Sequence, residues 1–294
     1  MKRNLLKSII ILLTLTFVTL QSCKKKTLFN LENEVLIEKP AYLEFSDKTT
    51  FSKALETENL RTIPTDFVSM YDIYIKIEET EDENERNMLI KKYRDILKID
   101  KDGFIDLIIT DDVLASFLSP EGLIKIGNEI SLVKEDKIVT LTDGDASKIN
   151  LLYQFDDDSP ENNIRVDKFI QNVNTDKAYW SGSSAYNSGN YQIRWQKWAS
   201  YSPWNSSAGG KIKSYKRKKN KWKIHRINLS ITVSWDYIEW KNGHASTFWT
   251  NGHVSDSKYG YILSKRKYAG SGWTPNPVYG LEISGSVGGH NYQF

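Results

Sequence analysis

Apolar residues change their spacing several times along this chain, and each change predicts a different element. Ile9 to Leu20 is a mostly apolar run of 12 residues, too short for a membrane-spanning helix of about 20. Residues 24–39 are mixed and charged, without period. Tyr42-Leu43-Glu44-Phe45-Ser46-Asp47 reads as a short strand entering a turn. Asp47 then suits the cap of a helix that carries Phe51, Ala54 and Leu55 at helical spacing. From Pro64 to Leu97 two apolar stripes follow, Phe67/Met70/Tyr71/Tyr74/Ile75/Ile77 and Met88/Leu89/Tyr93/Ile96/Leu97. The polar Glu78–Glu83 stretch joins them, so the segment predicts an antiparallel helical hairpin with Pro64 in its first turn. That acidic stretch reads as a solvated loop with carboxylates favourable at the second helix's N-terminus.

Beyond Asp100-Lys101-Asp102-Gly103, read as an Asp-Gly turn, Thr110-Asp111-Asp112 caps a short helix through Leu118, stopped by Ser119-Pro120. The period then drops to two over residues 122–133 and 137–142, the sign of β-hairpins. After residue 170 almost everything alternates. Ile227-Asn228-Leu229-Ser230-Ile231-Thr232-Val233-Ser234-Trp235 places five apolar residues on one strand face. Trp222 and Ile224 are out of phase with it, which suggests a bulge near His225-Arg226. Gly209–Tyr215 should pair with Lys221–Ile224 across the tip 216–220, and further strands are expected at 191–198, 258–265 and 278–287. The expected fold is α+β: a helical hairpin with a small antiparallel β region, followed by an all-β sandwich or small barrel.

Charge divides the chain along the same line. Residues 23–170 hold 20 Lys and Arg against 32 Asp and Glu; residues 171–294 hold 17 against 5. All nine Trp and all four His lie in the second part. The polar Asp156–Asn163 stretch marks the crossing point, so an acidic α+β domain at 41–158 and a basic, Trp-rich β domain at 165–294 are expected.

The chain's start carries an address. A basic Met1-Lys2-Arg3-Asn4-Leu5-Leu6-Lys7, the apolar run, and Leu20-Gln21-Ser22-Cys23 have the order of a secretory signal over residues 1–22. The ending resembles the bacterial lipoprotein lipobox, which implies that Cys23 is the first mature residue, that it carries the acyl chains, and that 23–40 is a tether. Cys23 is the one cysteine, so no disulfide or thiolate metal site is expected. The order lipobox, Tyr42-Leu43-Glu44-Phe45, acidic helical hairpin, Pro120-Glu121-Gly122-Leu123-Ile124-Lys125-Ile126-Gly127 and a basic Trp-containing β-rich segment is similar to uncharacterised lipoproteins of Bacteroidetes-type bacteria. That resemblance implies a place in the cell envelope and no assigned chemistry. Lys24-Lys25-Lys26, where surface-displayed lipoproteins of that group often carry acids, favours the periplasmic face of the outer membrane.

Candidate chemistry is sparse. Aligning Gly103 with the invariant glycine of a calcium loop puts Lys98 and Ile109 at ligand positions, and neither can supply one. His225, His244, His253 and His290 lack the close spacing of a zinc pair. His253 with Asp256, or Asp236 with Glu239, are the nearest approaches to a catalytic pair, and no motif selects a nucleophile. No catalytic residue, metal or cofactor is expected, and nucleic acid does not suit an exported chain. Lys211 to Arg226 holds nine Lys and Arg plus His225. Its tip Lys216, Arg217, Lys218 and Lys219 could meet an anionic glycan or lipopolysaccharide, or protect an exposed strand edge. Trp195, Trp222 and Trp235 read as core, whereas Trp204 and Trp273 sit in turn-rich segments where an exposed indole could form a sugar platform or, the favoured alternative, tuck back over the sheet. The expected role is non-catalytic binding or structure; the alternative is assembly with an envelope protein partner, through acidic and basic parts that dock. A hydrolase is the distant third.

Overall fold

A computed structural model describes residues 42–58, 60, 63–168, 180–188, 190–201, 204, 206–218, 221–241, 244–269, 282–287 and 290–293. Residues Ala41–Phe294 form one unit.

The acidic part begins with β1 (Glu44–Phe45) and α1 (Lys48–Glu56). Asp47 caps α1 by accepting from the Thr50 amide at 2.8 Å, and Phe51, Ala54 and Leu55 are its buried residues. The helical hairpin starts later than Pro64 implied. Its first helix, α2 (Met70–Glu79), begins where Ser69 and Asp72 form a reciprocal capping box: the Asp72 amide donates to Ser69 Oγ at 3.1 Å, and the Ser69 amide to Asp72 Oδ2 at 2.9 Å. That pair satisfies two otherwise orphaned amides, which a proline at N1 cannot do. Met70, Ile73, Tyr74, Ile77 and also Glu78 are buried.

The second helix, α3 (Glu83–Lys92), buries no residue, and Met88 is 64% exposed. Its stripe ends early. Ile96 lies in a 3₁₀ turn and Leu97 opens β2 (Leu97–Ile99), which pairs with β3 (Ile105–Leu107). The Asp-Gly turn joins these strands: Asp100 Oδ1 accepts from the Asp102 and Phe104 amides at 2.9 and 3.0 Å, and Gly103 has φ +80°. Asp111 caps α4 (Asp112–Phe117) through the Val113 and Leu114 amides.

The alternating segments become β4 (Leu123–Ile126), β5 (Glu129–Val133) and β6 (Lys137–Leu141). They form a five-stranded sheet with β1, which is parallel to β4, and with β7 (Ile164–Lys168), which pairs antiparallel with β6. The Asp156–Asn163 stretch is therefore an excursion between two neighbouring strands of one sheet. The acidic sheet reaches past residue 158 to Lys168.

The basic part supplies two more sheets. The first orders β11 (Lys221–Ile224), β10 (Ser206–Lys218), β9 (Tyr191–Tyr201) and β8 (Trp180–Ser188), with β14 (Ile262–Ala269) also paired to β10. The second orders β13 (His244–Gly260), β12 (Ile227–Lys241), β15 (Glu282–Val287) and β16 (His290–Gln293). Ile193, Trp195, Ala208, Ile212 and Leu263 of the first sheet share a core with Leu229, Ile231, Val233, Ile283 and Val287 of the second. Among the described residues this is a two-sheet packing, with neither sheet closed into a barrel. The sheets approach so closely that a Cβ on Gly210 would lie 2.5 Å from Ile283 Cδ1.

The phase slip at His225-Arg226 is not a bulge. There the chain leaves β11 in one sheet and enters β12 in the other, so the buried parity changes because the facing partner changes. The register shift that does occur in β12 falls between Ile238 and Glu239.

Candidate functional site

Strand β10 shows how one strand serves two interfaces. Ala208 and Ile212 point into the core between the sheets, while Ser207, Lys211, Lys213 and Tyr215 point toward the acidic part. Lys211 is 1% exposed and is bonded to Asp112 Oδ1. Lys213 is bonded to Asp106 and donates to the Ile105 carbonyl at 2.9 Å. On the adjacent β14, Arg266 Nη1 donates to Asp111 Oδ2 at 2.8 Å, an oxygen that also accepts from Ser207 Oγ at 2.8 Å. Arg194 of β9 pairs with Asp100 at 2.5 Å and lies 4.1 Å from the Phe104 ring centroid. The basic cluster is thus divided along the strand: its first members, Lys211 and Lys213, are buried counter-ions of the acidic part. Burial pushes the Asp112 carboxyl above its ordinary range, and Lys211 opposes that shift.

The remaining cations lie along the β10–β11 hairpin, which pairs Lys216 with Lys223, Arg217 with Trp222 and Lys218 with Lys221. Lys221 reaches Glu83, and Arg226 reaches Glu79 at 2.6 Å. Lys216, Arg217 and Lys218 have no acidic partner among the described residues. Two of the three sit on aromatic rings instead. Lys216 Nζ is 5.0 Å from the centroid of Tyr191, its neighbour in register on β9, and the Arg217 guanidinium is 5.9 Å from that of Trp222. Tyr191 is 40% exposed, and its ring lies 5.2 Å from that of His225. Partial burial, then Lys216 and Lys218, hold the His225 imidazole below its ordinary pKa. The two lysines thus add to the effect of burial at that imidazole.

The sequence-predicted residues separate clearly. Cys23, Lys219 and Trp273 lie outside the described residues. Trp204 is not an open platform: it is 2% exposed, stacks edge-on against Phe51 at 5.7 Å, and its carbonyl accepts from Ser52 Oγ at 2.9 Å. The indole packs under α1, because that surface is apolar and an exposed indole forgoes the burial. Trp195 is core, as its strand position implied, whereas Trp222 is only half-buried and serves the hairpin surface. The side chains of Trp235, Asp236 and Glu239 are not among those described. His253 and Asp256 sit three apart in the unbroken ladder of β13 and so lie on opposite faces; Asp256 pairs with Lys265 at 3.3 Å. Among the described residues no group of three or more His, Cys, Asp or Glu is placed to hold a metal ion.

Tyr191 escaped the sequence reading. Its signal is its place at the first position of β9, opposite the one lysine that ends the buried half of the cluster.

No family model matches the chain, and no curated protein matches it. Among solved structures it is similar to a DUF4848 family protein from Bacteroides thetaiotaomicron, at 13% identity and a TM-score of 0.25, over 89% of this chain and 98% of that one. So low a TM-score carries no argument about function.

Proposed function

We propose that this chain is a cell-envelope protein, held by acyl chains on Cys23 at the periplasmic face of the outer membrane, with a non-catalytic binding role. Its β10–β11 hairpin contacts an anionic glycan or lipopolysaccharide. The observation that carries this reading is the aromatic-backed cation row: Lys216 on Tyr191 and Arg217 on Trp222, with Lys218 beside them and no carboxylate paired to them among the described residues. Rings held this way offer apolar faces to a sugar while the cations meet its acidic groups.

The test compares the full chain with a Lys216→Ala/Arg217→Ala/Lys218→Ala variant on immobilised lipopolysaccharide and on acidic glycans. Three lost cations should weaken retention about tenfold or more at low salt, at roughly 0.5–1 kcal/mol for each exposed contact. Binding should also raise the His225 pKa toward its ordinary value, since a bound anion offsets Lys216 and Lys218. Equal retention of both proteins would sink the reading.

The second reading, acidic and basic parts that dock, is supported within the chain by the Lys211–Asp112, Lys213–Asp106 and Arg266–Asp111 pairs. These contacts use up charge that a protein partner would otherwise meet.

A further inference from the structure

We propose that the cleft between the α2–α3 connection and β11 binds a small zwitterion, an ammonium joined by a short linker to an anionic group. The cleft has a volume of about 210 Å³, below the ~300–1,000 Å³ of sites for drug-sized ligands. Its occupant is therefore a single small group.

The base of the cleft is a buried carboxyl beside aromatic rings; burial raises its pKa, and Lys213 and Arg86 oppose that rise. Glu78, 8% exposed, lines it and accepts from the Tyr215 hydroxyl at 3.1 Å. Phe104 forms a wall, 4.8 Å from the Tyr215 ring and 6.0 Å from that of Trp222. A buried carboxyl bonded to Tyr215, in a cleft that Phe104 and Trp222 also line, suits an ammonium, which gains an ion pair and aromatic contact. It repels a bare anion.

The mouth has the opposite character. Arg86 and Lys223 line it without a direct ion-pair contact among the described residues, although both lie in the field of Glu83 and Arg86 also in that of Glu78. Of the rim carboxylates, Glu83 is held by Lys221 and Asp102 is exposed. A phosphate or carboxylate just outside the base would meet the fork of Arg86 and the ammonium of Lys223. A simple amine leaves the mouth unused, and a simple anion cannot enter the base; only a molecule with both charges a few bonds apart uses the whole cleft. An amino-alcohol phosphate, as in a lipid headgroup, and a free amino acid share that chemistry. The site includes neither Lys216 nor Lys218 but shares Trp222 with the hairpin surface, so the Glu78→Gln variant, which leaves that surface intact, separates the two proposals.

Calorimetric titration of the full chain with O-phosphoethanolamine, β-alanine, ethanolamine and inorganic phosphate tests it. One of the two zwitterions should saturate a single site, and the tighter of them identifies the headgroup or the amino-acid source. Ethanolamine and phosphate should each bind about tenfold or more weakly, a factor equivalent to losing one charged contact. Glu78→Gln keeps an acceptor for Tyr215 and should lower zwitterion affinity by a similar factor. Should that variant unfold, Lys223→Ala on the rim should weaken the zwitterion and leave ethanolamine unchanged. Failure of both zwitterions to saturate, phosphate as tight as phosphoethanolamine, undiminished affinity in folded Glu78→Gln, or a rim variant that binds the zwitterion as the parent does would each overturn the proposal.

Discussion

Lys211→Met removes a buried cation while nearly preserving the side chain's length. In the parent, Lys211 and Asp112 are 1% and 7% exposed, and the lysine also lies 5.9 Å from the Tyr74 ring. Taking away one member of such a pair leaves the other charge buried, at a cost of about 3–5 kcal/mol. For a unit this large each kcal/mol moves the melting point by about 2–4 °C, so the midpoint should fall by roughly 6–20 °C. The deficit should also depend on pH. Burial already holds Asp112 above its ordinary pKa with Lys211 opposing, and removing the lysine raises it further. A group whose folded pKa lies above its unfolded one contributes stability that is complete below the unfolded value, about 3.9, and is lost as pH rises through the folded value. The variant should therefore recover relative to the parent on acidification from pH 7 toward about pH 4. Adding Asp112→Leu should restore most of the loss at neutral pH, since apolar replacement of a buried pair is near neutral or stabilising. Urea unfolding of parent, single and double variants across that pH range provides the measurement. A single variant within ~0.5 kcal/mol of the parent, or a deficit that grows on acidification, would refute the reasoning.

Trp204→Ala should cost about 3–5 kcal/mol by emptying the site beneath α1 and leave glycan retention unchanged once the protein is folded, as equilibrium unfolding and a binding assay would show; lost retention in a folded variant would return Trp204 to the ligand surface. Cys23→Ser should shift the protein from the membrane to the soluble fraction and abolish labelling with a radioactive fatty acid, and persistent labelling would refute the anchor at that residue.

Local signals were legible and long-range ones were not. The caps at Asp47 and Asp111, the Asp100–Gly103 turn and the hairpin pairing of Tyr215 with Ile224 all depend on neighbours within a few residues. The start of α2 was misplaced because proline at N1 and a Ser69–Asp72 box are rival signals, and the box satisfies more amides. The slip at His225-Arg226 shows the limit of period reading, since a change of sheet and a bulge leave the same trace in sequence. The opposite charges of the two parts were visible at once. Which lysines they consume was not: the partners of Asp100, Asp106, Asp111 and Asp112 lie 94 to 155 residues away. The partner of Trp204 was hidden for the same reason: burial was the favoured reading, but Phe51, on which it packs, is distant in the chain.

The buried ion pairs also dictate an order of events during synthesis. A growing chain makes Asp111 and Asp112 about a hundred residues before Lys211 and 155 residues before Arg266, the partner of Asp111. Until β10 and β14 exist, α4 has no cations for its carboxylates, and the acidic part must keep them hydrated or protonated. Final consolidation waits for almost the last strands, the slow regime of folding in which distant contacts dominate. A chain cut near residue 168 would stall there, with each piece holding the counter-ions of the other.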